Sequence, residues 1–445
     1  MKVLIAAWGQ PAYWKKVRYN FESEDLTLRD VESCTTLKIL SEHYDNTILV
    51  VSESIFDFTA DPQKPNNDCA NCMNQVHWDV PIDGYKKMID AIESNMRKVL
   101  DCIKIKGNIH IVVMPAIGQP GPKMQFAGKM DNFTSIGLFK IYDLMRNFDD
   151  IEEIAVDVTH GINYMSSLIL EISKFLAQVA FLKHAPDSNW KGIKMRVYNA
   201  DPVSNSSDGG KAYSINKIIE EDVHSIEINS NKAEPPKDSI VMQHDTDLDP
   251  LKEGYSKIFN MVKSLYYPFP LALCLIYSKL GMTPSLLMKK AMNLWDSRTI
   301  IKGKIVEHNL TIYPLFAQHL ILSDAVSIIL DSMALNFDCI GISDIKNISK
   351  IIYNRVSVLS ETLINQELSK IELNSRNKLP LIEQYLSELY PNSNMPNNST
   401  RSIVNKRIMI AHAGFQYDLT KVKGTNKLCL NYDREVENIL SKVYI

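Results

Sequence analysis

Up to about residue 200 the chain alternates short β-branched runs with longer helical patterns, and beyond about residue 250 the strand pattern largely stops. The first spacing builds a parallel sheet wrapped by helices and the second a helical bundle, so the two halves need separate layer systems. Strands are expected at Val3–Ala7, Thr47–Ser52, Ile109–Met114, Ile154–Val158 and Lys194–Asn199. Continuous apolar runs of this kind arise where helices cover both faces of a sheet. Gly84–Ile103 and Ile162–Leu182 read as connecting helices. The second aligns Met165, Leu168, Ile169, Ile172, Phe175, Leu176 and Val179 on one stripe, as a packed helix requires.

At 445 residues the chain is too long for one core. The expected organisation is a Rossmann-like α/β domain over residues 1–228, a linker over 229–250 and an all-α domain over 251–445. The linker is polar and carries the adjacent Pro235 and Pro236. Helices are expected at Lys252–Leu265, Pro284–Trp295, Tyr313–Ala334, Ile345–Glu372, Leu379–Leu389 and Thr400–Ala413, with a small β-ribbon at Lys302–Ile312 inserted among them. Thr59–Asn74, rich in Pro, Asn and Asp, reads as a surface insertion.

A net charge of −3 leaves any nucleic acid to be held by a local patch. Seven cysteines, an odd number spread along a long chain, suit a reducing compartment better than a disulfide framework. The opening MKVLIAAWGQ is a strand, too short for a signal sequence. No uninterrupted apolar run reaches the roughly 18 residues of a membrane span, and Tyr313–Phe337, broken by His319, Asp324 and Asp331, reads as a buried helix. A soluble cytoplasmic protein without membrane contact is expected.

In a doubly wound sheet, ligands sit beyond the carboxyl ends of the strands. Three such loops carry unusual residues: Trp8-Gly9-Gln10-Pro11 with Tyr13 and Trp14 beyond, Pro115 to Gly121 with Gly118 and Gln119, and Asp157 to Asn163. Gly161 allows close backbone approach, Thr159 can cap the following helix, and the N–H groups there favour an anion. Aromatic and amide side chains nearby suit a stacked, hydrogen-bonded base. No Gly-x-Gly-x-x-Gly follows the first strand, which argues against a dinucleotide enzyme. The plainer reading is a set of ordinary βα turns with His160 a satisfied loop histidine.

Near the C-terminus Arg407 precedes His412 by five positions. Arginine grips phosphate and keeps its charge, and histidine exchanges protons near neutral pH, which is the minimal equipment for cutting RNA without a metal. On a regular helix the two would be about 140° and about 7.5 Å apart. Gly414 suggests that the helix ends just past His412. The plainer reading of His412 is a helix-end histidine favourable to the dipole. Arg401, Lys406, Lys421, Lys423 and Lys427, opposed by Asp418, form either an RNA patch or a solvated surface. Cys69-x-x-Cys72 followed by His77 and Asp79 begins a zinc spacing but lacks a matching fourth ligand, so no metal is assigned. Cys274, Cys339 and the methionines from Met282 to Met292 read as core.

Three strings together, Trp8-Gly9-x-Pro11, Thr159-His160-Gly161-x-Asn163 and Arg407-x4-His412-Ala413-Gly414-Phe415, resemble one family. It is the two-domain CARF–HEPN ribonucleases that accompany type III CRISPR systems, and the resemblance spans the whole architecture. It implies a homodimer, or an assembly of dimers, whose paired CARF domains bind a cyclic oligoadenylate, usually cyclic tetra-adenylate, as allosteric activator. The pocket would then use Trp8, Gly9, Gln10, Thr159, His160, Gly161 and Asn163, with Gly118 and Gln119 as further candidates. Arg407 and His412, paired across the two-fold axis, would cut single-stranded RNA without cofactor or metal, leaving 2′,3′-cyclic phosphate and 5′-hydroxyl ends. Such motifs often place a polar residue, typically Asn, directly after the arginine, whereas this chain has Ile408. Two alternatives stay open: a ligand-sensing regulator without catalysis, and a hydrolase that degrades the cyclic oligonucleotide through His160 or Thr159.

Overall fold

The computed structural model describes residues 1–24, 27–57, 68–76, 78, 84–184, 192–203, 212–228, 248–375, 383–389, 403–424 and 427–443. The strands of the N-terminal half are β1 (Lys2–Trp8), β2 (Val17–Glu22), β3 (Thr27–Ser33), β4 (Asn46–Ser52), β5 (Ile109–Met114), β6 (Gln125–Ala127), β7 (Glu153–Asp157), β8 (Ile193–Ala200) and β9 (Ala212–Val223). All but β6 form one sheet in the order β3-β2-β9-β8-β7-β1-β4-β5. The run β8-β7-β1-β4-β5 is parallel throughout, and these are the five strands that the apolar runs predict. β9 pairs antiparallel to β8, and β3 antiparallel to β2. These outer strands escape the sequence reading because they are half-exposed and charged, β9 carrying Lys217, Glu220, Glu221 and Asp222. A strand open to water on one face needs no continuous apolar run.

Helices α1 (Leu37–Leu40), α2 (Asp68–Asn74), α3 (Tyr85–Cys102), α4 (Met130–Met145) and α5 (Asn163–Lys183) pack around this sheet. Both connecting helices expected from sequence are present as α3 and α5, whereas α4 was not foreseen. α2 occupies the described part of the expected Thr59–Asn74 insertion. Residues 59–67 of that stretch, and 229–247 of the expected linker, lie outside the described residues.

The second half contains α6 (Asp249–Tyr266), α7 (Pro270–Ser278), α8 (Pro284–Arg298), α9 (Pro314–Asp331), α10 (Ile342–Ile348), α11 (Asn354–Val356), α12 (Val358–Ser375), α13 (Lys406–Ala411) and α14 (Val436–Val443). The single helix expected over Ile345–Glu372 is broken by a π-helical turn at Ser349–Tyr353 and by an extended Ser357. The ribbon is β10 (Thr299–Lys302) with β11 (Ile305–His308), starting three residues before its expected position. A further small sheet, β12 (Ile340–Gly341), β13 (Gln384–Tyr385), β14 (Thr420–Lys423) and β15 (Cys429–Tyr432), was not foreseen, because strands of two to four residues leave no periodic signal. It displaces the expected helix at Leu379–Leu389, whose described part is β13 and a 3-10 turn.

The halves meet at the ribbon and along α9, among other contacts. β6 pairs in parallel with β11, and behind them Glu53 is fully buried. Its carboxylate lies 3.1 Å from His308 Nε2 and accepts from the Ala116 N–H at 3.2 Å and from the Tyr85 hydroxyl. Beside this, α4 and α5 pack on α9, where the Tyr142 hydroxyl donates to Asp324 at 2.9 Å. α9 is the buried helix expected near Tyr313–Phe337. Both α9 and Tyr164–Lys183 are long and apolar enough to cross a membrane, but 67% and 50% of them is buried in the fold.

Cysteine usage corrects the sequence reading. Cys34 pairs with Cys69, Cys72 with Cys102, and Cys339 with Cys429, while Cys274 is free and buried. Cys69 and Cys72 share one turn of α2 and are each drawn to a different partner, which removes them as zinc ligands.

Candidate functional site

β1 and β7 are neighbours, so their carboxyl-end loops meet, and the Gly9 N–H donates to the His160 carbonyl at 2.7 Å. A Cβ on Gly9 would fall 2.7 Å from the Ile162 side chain, and one on Gly161 2.3 Å from Ser166 Oγ. Both glycines let backbones approach where no side chain fits. The cavity outside these loops measures about 370 Å³ and is lined by Tyr13, Trp14, Thr159, His160, Asn199 and Asp201, among others. The Trp14 ring lies over His160 with centroids 4.2 Å apart. Trp8 is fully buried and meets Trp14 edge-on at 4.9 Å, so it backs the pocket rather than lining it.

His160 is held neutral. Burial pushes its pKa down to about 4, against the pull of Asp157. Its Nε2 accepts the Thr36 N–H at 3.2 Å, and the Thr36 hydroxyl donates to Asp157 at 2.6 Å. Thr159 does not cap α5, contrary to expectation. Its hydroxyl accepts the Ala200 N–H at 3.0 Å, and its own N–H donates to Asp157 at 3.0 Å. The N-cap is Ile162, which supplies no side-chain cap, so the first turn beginning at Asn163 presents N–H groups without that partner. Gln10, just before the 3-10 turn Pro11–Tyr13, has a buried Oε1 without a hydrogen-bond partner.

Gly118 and Gln119 are not brought to this cavity. β5 stands two strands from β1, about 10 Å away. Gly118 exchanges backbone hydrogen bonds with Phe126, at 2.9 and 2.8 Å, and the loop turns toward the ribbon. Sequence reasoning missed Tyr19, Thr36, Asn199 and Asp201. The last two follow β8, and the same edge-of-sheet rule applied to that strand would have found them.

In the second half, Asn405 caps α13, its side chain accepting from the N–H groups of Arg407 at 3.0 Å and Ile408 at 3.2 Å. α13 stops at Ala411, so His412 is its C-cap with φ −115° and ψ 31°, and the regular-helix angle to Arg407 does not apply. The chain turns there because Ala413 and Gly414 both have positive φ, and a Cβ on Gly414 would crowd Phe269 at 3.1 Å. Arg407 is exposed on the first turn and Ile408 is exposed beside it. His412 Nδ1 lies 2.9 Å from Glu367 Oε2 on α12, and that carboxylate also accepts the Tyr417 hydroxyl at 3.0 Å and the Lys370 ammonium. Burial alone would raise the Glu367 pKa, but the hydrogen bonds from Lys370 and His412 outweigh it and hold the carboxyl below its ordinary value. Glu367 and Lys370 gave no signal in sequence, lying in an ordinary helical stretch. Of the expected basic patch, Lys421 is paired with Glu383 at 3.1 Å, and Arg401 lies outside the described residues. Among the described residues no group of three or more His, Cys, Asp or Glu is set to hold a metal.

The family model for the CARF domain of the CRISPR system endoribonuclease Csx1 matches residues 3–202, and that for its HEPN domain matches residues 357–435. The second stretch contains Glu367, Arg407 and His412. A CRISPR system endoribonuclease Csx1 of Methanocaldococcus jannaschii is 25% identical over 206 residues. That match covers 45% of this chain and 37% of the relative, little more than a third of its length. Among solved structures, Enterococcus italicus Csm6 bound to cyclic hexa-2′-fluoro-hexa-dAMP is matched over 86% of this chain and 69% of that one at 12% identity. The TM-score of 0.22 is too low to carry a structural argument.

Proposed function

The chain belongs to the two-domain CARF–HEPN family of CRISPR-associated proteins, and on that premise we propose that it is an endoribonuclease switched on by a cyclic oligoadenylate, cyclic tetra-adenylate being the first candidate. The observation that carries this reading is the Glu367–His412 pair, with Arg407 exposed on the first turn of the short helix that His412 ends. A charged, buried carboxylate at Nδ1 fixes the imidazole tautomer and leaves Nε2 to exchange a proton with RNA. The RNA 2′-hydroxyl attacks its own phosphate while His412 moves the proton, and Arg407 stabilises the charge gathered on phosphorus. The leaving 5′-oxygen takes a proton, so the products are a 2′,3′-cyclic phosphate and a 5′-hydroxyl. DNA lacks the nucleophile. No step of this route calls on a metal.

Assembly as a homodimer completes the site. Val358 and Leu359 at the start of α12 are 65% and 80% exposed, and Ile403 and Ile408, on either side of Arg407 in the chain, are exposed as well. Exposed apolar side chains of this kind suit burial against a second copy, which would set two Arg/His pairs in one cleft. In the N-terminal pocket, Trp14 over a neutral His160 offers a stacking surface for an adenine, and past the lining residues the first turn of α5 offers N–H groups to a phosphate. His160 does not suit ring hydrolysis, because its Nε2 is already engaged by Thr36.

The test incubates the full-length protein with labelled single-stranded RNA in EDTA, with and without cyclic tetra-adenylate, beside His412→Ala. Cleavage that needs the ligand and disappears in the variant supports the proposal. Ligand binding without any RNA cleavage supports a non-catalytic sensor, with Ile408 marking the lost function. Loss of the ligand itself, persisting in His412→Ala, supports a ring hydrolase.

A further inference from the structure

α5 runs unbroken from the ligand loop to the opposite end of the sheet, its 21 residues spanning about 31 Å. Near that far end the Phe181 carbonyl accepts a hydrogen bond from the Arg355 guanidinium, which also lies 4.8 Å over the Phe181 ring. The backbone carbonyl of Arg355 accepts the Ile226 N–H at 3.0 Å, from the segment leaving β9. The N-terminal half thus grips one residue of the helical half twice. Arg355 is 8% exposed, so these bonds are made away from water.

Arg355 lies between two irregularities. The π-helical turn Ser349–Tyr353 precedes it, and the extended Ser357 follows it before α12 begins at Val358. Such turns and breaks are where a helical segment changes angle most easily. Nine residues into α12, about 14 Å along, stands Glu367, which holds His412. Of the junctions described above, β6 against β11 with Glu53 and His308 behind leads to α8 and the ribbon, and α4 and α5 against α9 leads to α6 and α8. α12 instead packs chiefly on α10, α11, the π turn and the 3-10 turn Leu386–Leu389.

We propose that Arg355 is the positioning residue through which occupancy at the N-terminus of α5 sets the angle of α12 and hence the Glu367–His412 pair. This rests on the functional reading above. A helix is stiff along its axis, so a shift of α5 carries the Phe181 carbonyl with it, and Arg355 follows or loses a buried bond. The ligand biases the arrangement by the difference in its affinity for the two positions of α5.

Full-length Arg355→Met removes the donors while keeping most of the bulk, and Arg355→Lys keeps the charge and a donor. Ligand binding is read by calorimetry with cyclic tetra-adenylate, and RNA cleavage is measured with and without it. Arg355→Met is expected to bind ligand within about threefold of the parent, to cut RNA without ligand at the parental rate, and to lose about tenfold or more of the stimulation. Arg355→Lys is expected to recover part of that stimulation. Full stimulation in Arg355→Met overturns the role of Arg355 alone. Joint loss of binding and unstimulated cleavage marks it as a structural prop and also overturns the proposal. A parent protein that ligand does not stimulate overturns the functional reading, and this inference with it.

Discussion

His412 Nδ1 lies 2.9 Å from Glu367 Oε2, although the two residues are 45 positions apart in the chain. The carboxylate is only 2% exposed, and Tyr417 and Lys370 share it. A half-exposed histidine held at one nitrogen by a buried anion has its other nitrogen oriented, which the proposed catalytic role of His412 requires.

Glu367→Gln keeps the shape and removes the charge. RNA cleavage is expected to fall by between about tenfold and about 10⁴-fold, with little change in ligand affinity. The folded pKa of Glu367 is depressed, so its stabilisation is present above the unfolded value and is lost as pH falls through the folded one. The variant should therefore lose part of the parent's acid-induced drop in stability below about pH 4. Single-turnover cleavage rates and urea midpoints against pH check both. A parental rate in Glu367→Gln would show that His412 needs no partner.

Two histidines predict a second acid limb. Burial pushes both His160 and His319 down to about 4. Between about pH 6.5 and about pH 4 the unfolded chain binds protons at these sites that the folded chain refuses. Stability is therefore lost as pH falls through that window, by up to about 3 kcal/mol for each site. His319→Gln, which can keep a bond to the Tyr255 hydroxyl now 2.9 Å from Nδ1, should flatten the fall. A parental urea midpoint that stays level from pH 7.5 to pH 5 would contradict this.

The parallel centre of the sheet was legible in the sequence because burial on both faces writes a continuous apolar run, as in β4, every residue of which is buried. The flanking β2, β3 and β9 were not, since their open faces carry Arg, Lys, Asp and Glu. At the pocket, the glycines could be read from the loops because only glycine tolerates such close backbones, and His160 stands directly beside one of them. Thr36 could not, since its tie to Asp157 depends on a fold bringing together residues 121 positions apart. A separation of 45 positions from His412 hid Glu367 in the same way. Trp8 was read correctly as unusual but assigned to the lining, and its full burial shows that it supports Trp14 instead.

The cysteines make a chemical prediction. With the three pairs formed, unfolded but unreduced protein will react with one equivalent of maleimide, at Cys274, and reduced protein with seven. In the folded state even Cys274 should be inert, because burial, with a smaller contribution from Asp344, pushes its thiol up to about 12. The pairs close sequence separations of 35, 30 and 90 residues, and each is expected to contribute about 4 kcal/mol when formed. Reduction should lower the Tm, and the 3-10 turn Pro11–Tyr13, against which α2 packs, should exchange its amide hydrogens faster. Seven reactive thiols in unreduced protein would mean that the pairs are neighbours without bonds.

Gly161→Ala separates the pocket from the cutting site. The added Cβ would stand 2.3 Å from Ser166 Oγ and 3.3 Å from the Ser166 N atom, at the first turn of α5. Relief requires Ser166 to give up its bond to the Val158 carbonyl, now 3.1 Å, and the helix start to move away from the loop. Overpacking of this kind costs about 1–3 kcal/mol. Because the N–H groups of that turn are the ones we propose for the ligand's phosphate, part of the cost should appear as weaker binding, roughly tenfold or more. Glu367 and His412 lie in the other half, so RNA cleavage at saturating ligand should return to near the parental rate. A variant that binds ligand normally would remove the α5 turn from the pocket. One that binds weakly and never regains cleavage would mean that the turn also sets the position of α5, and with it the coupling through Arg355.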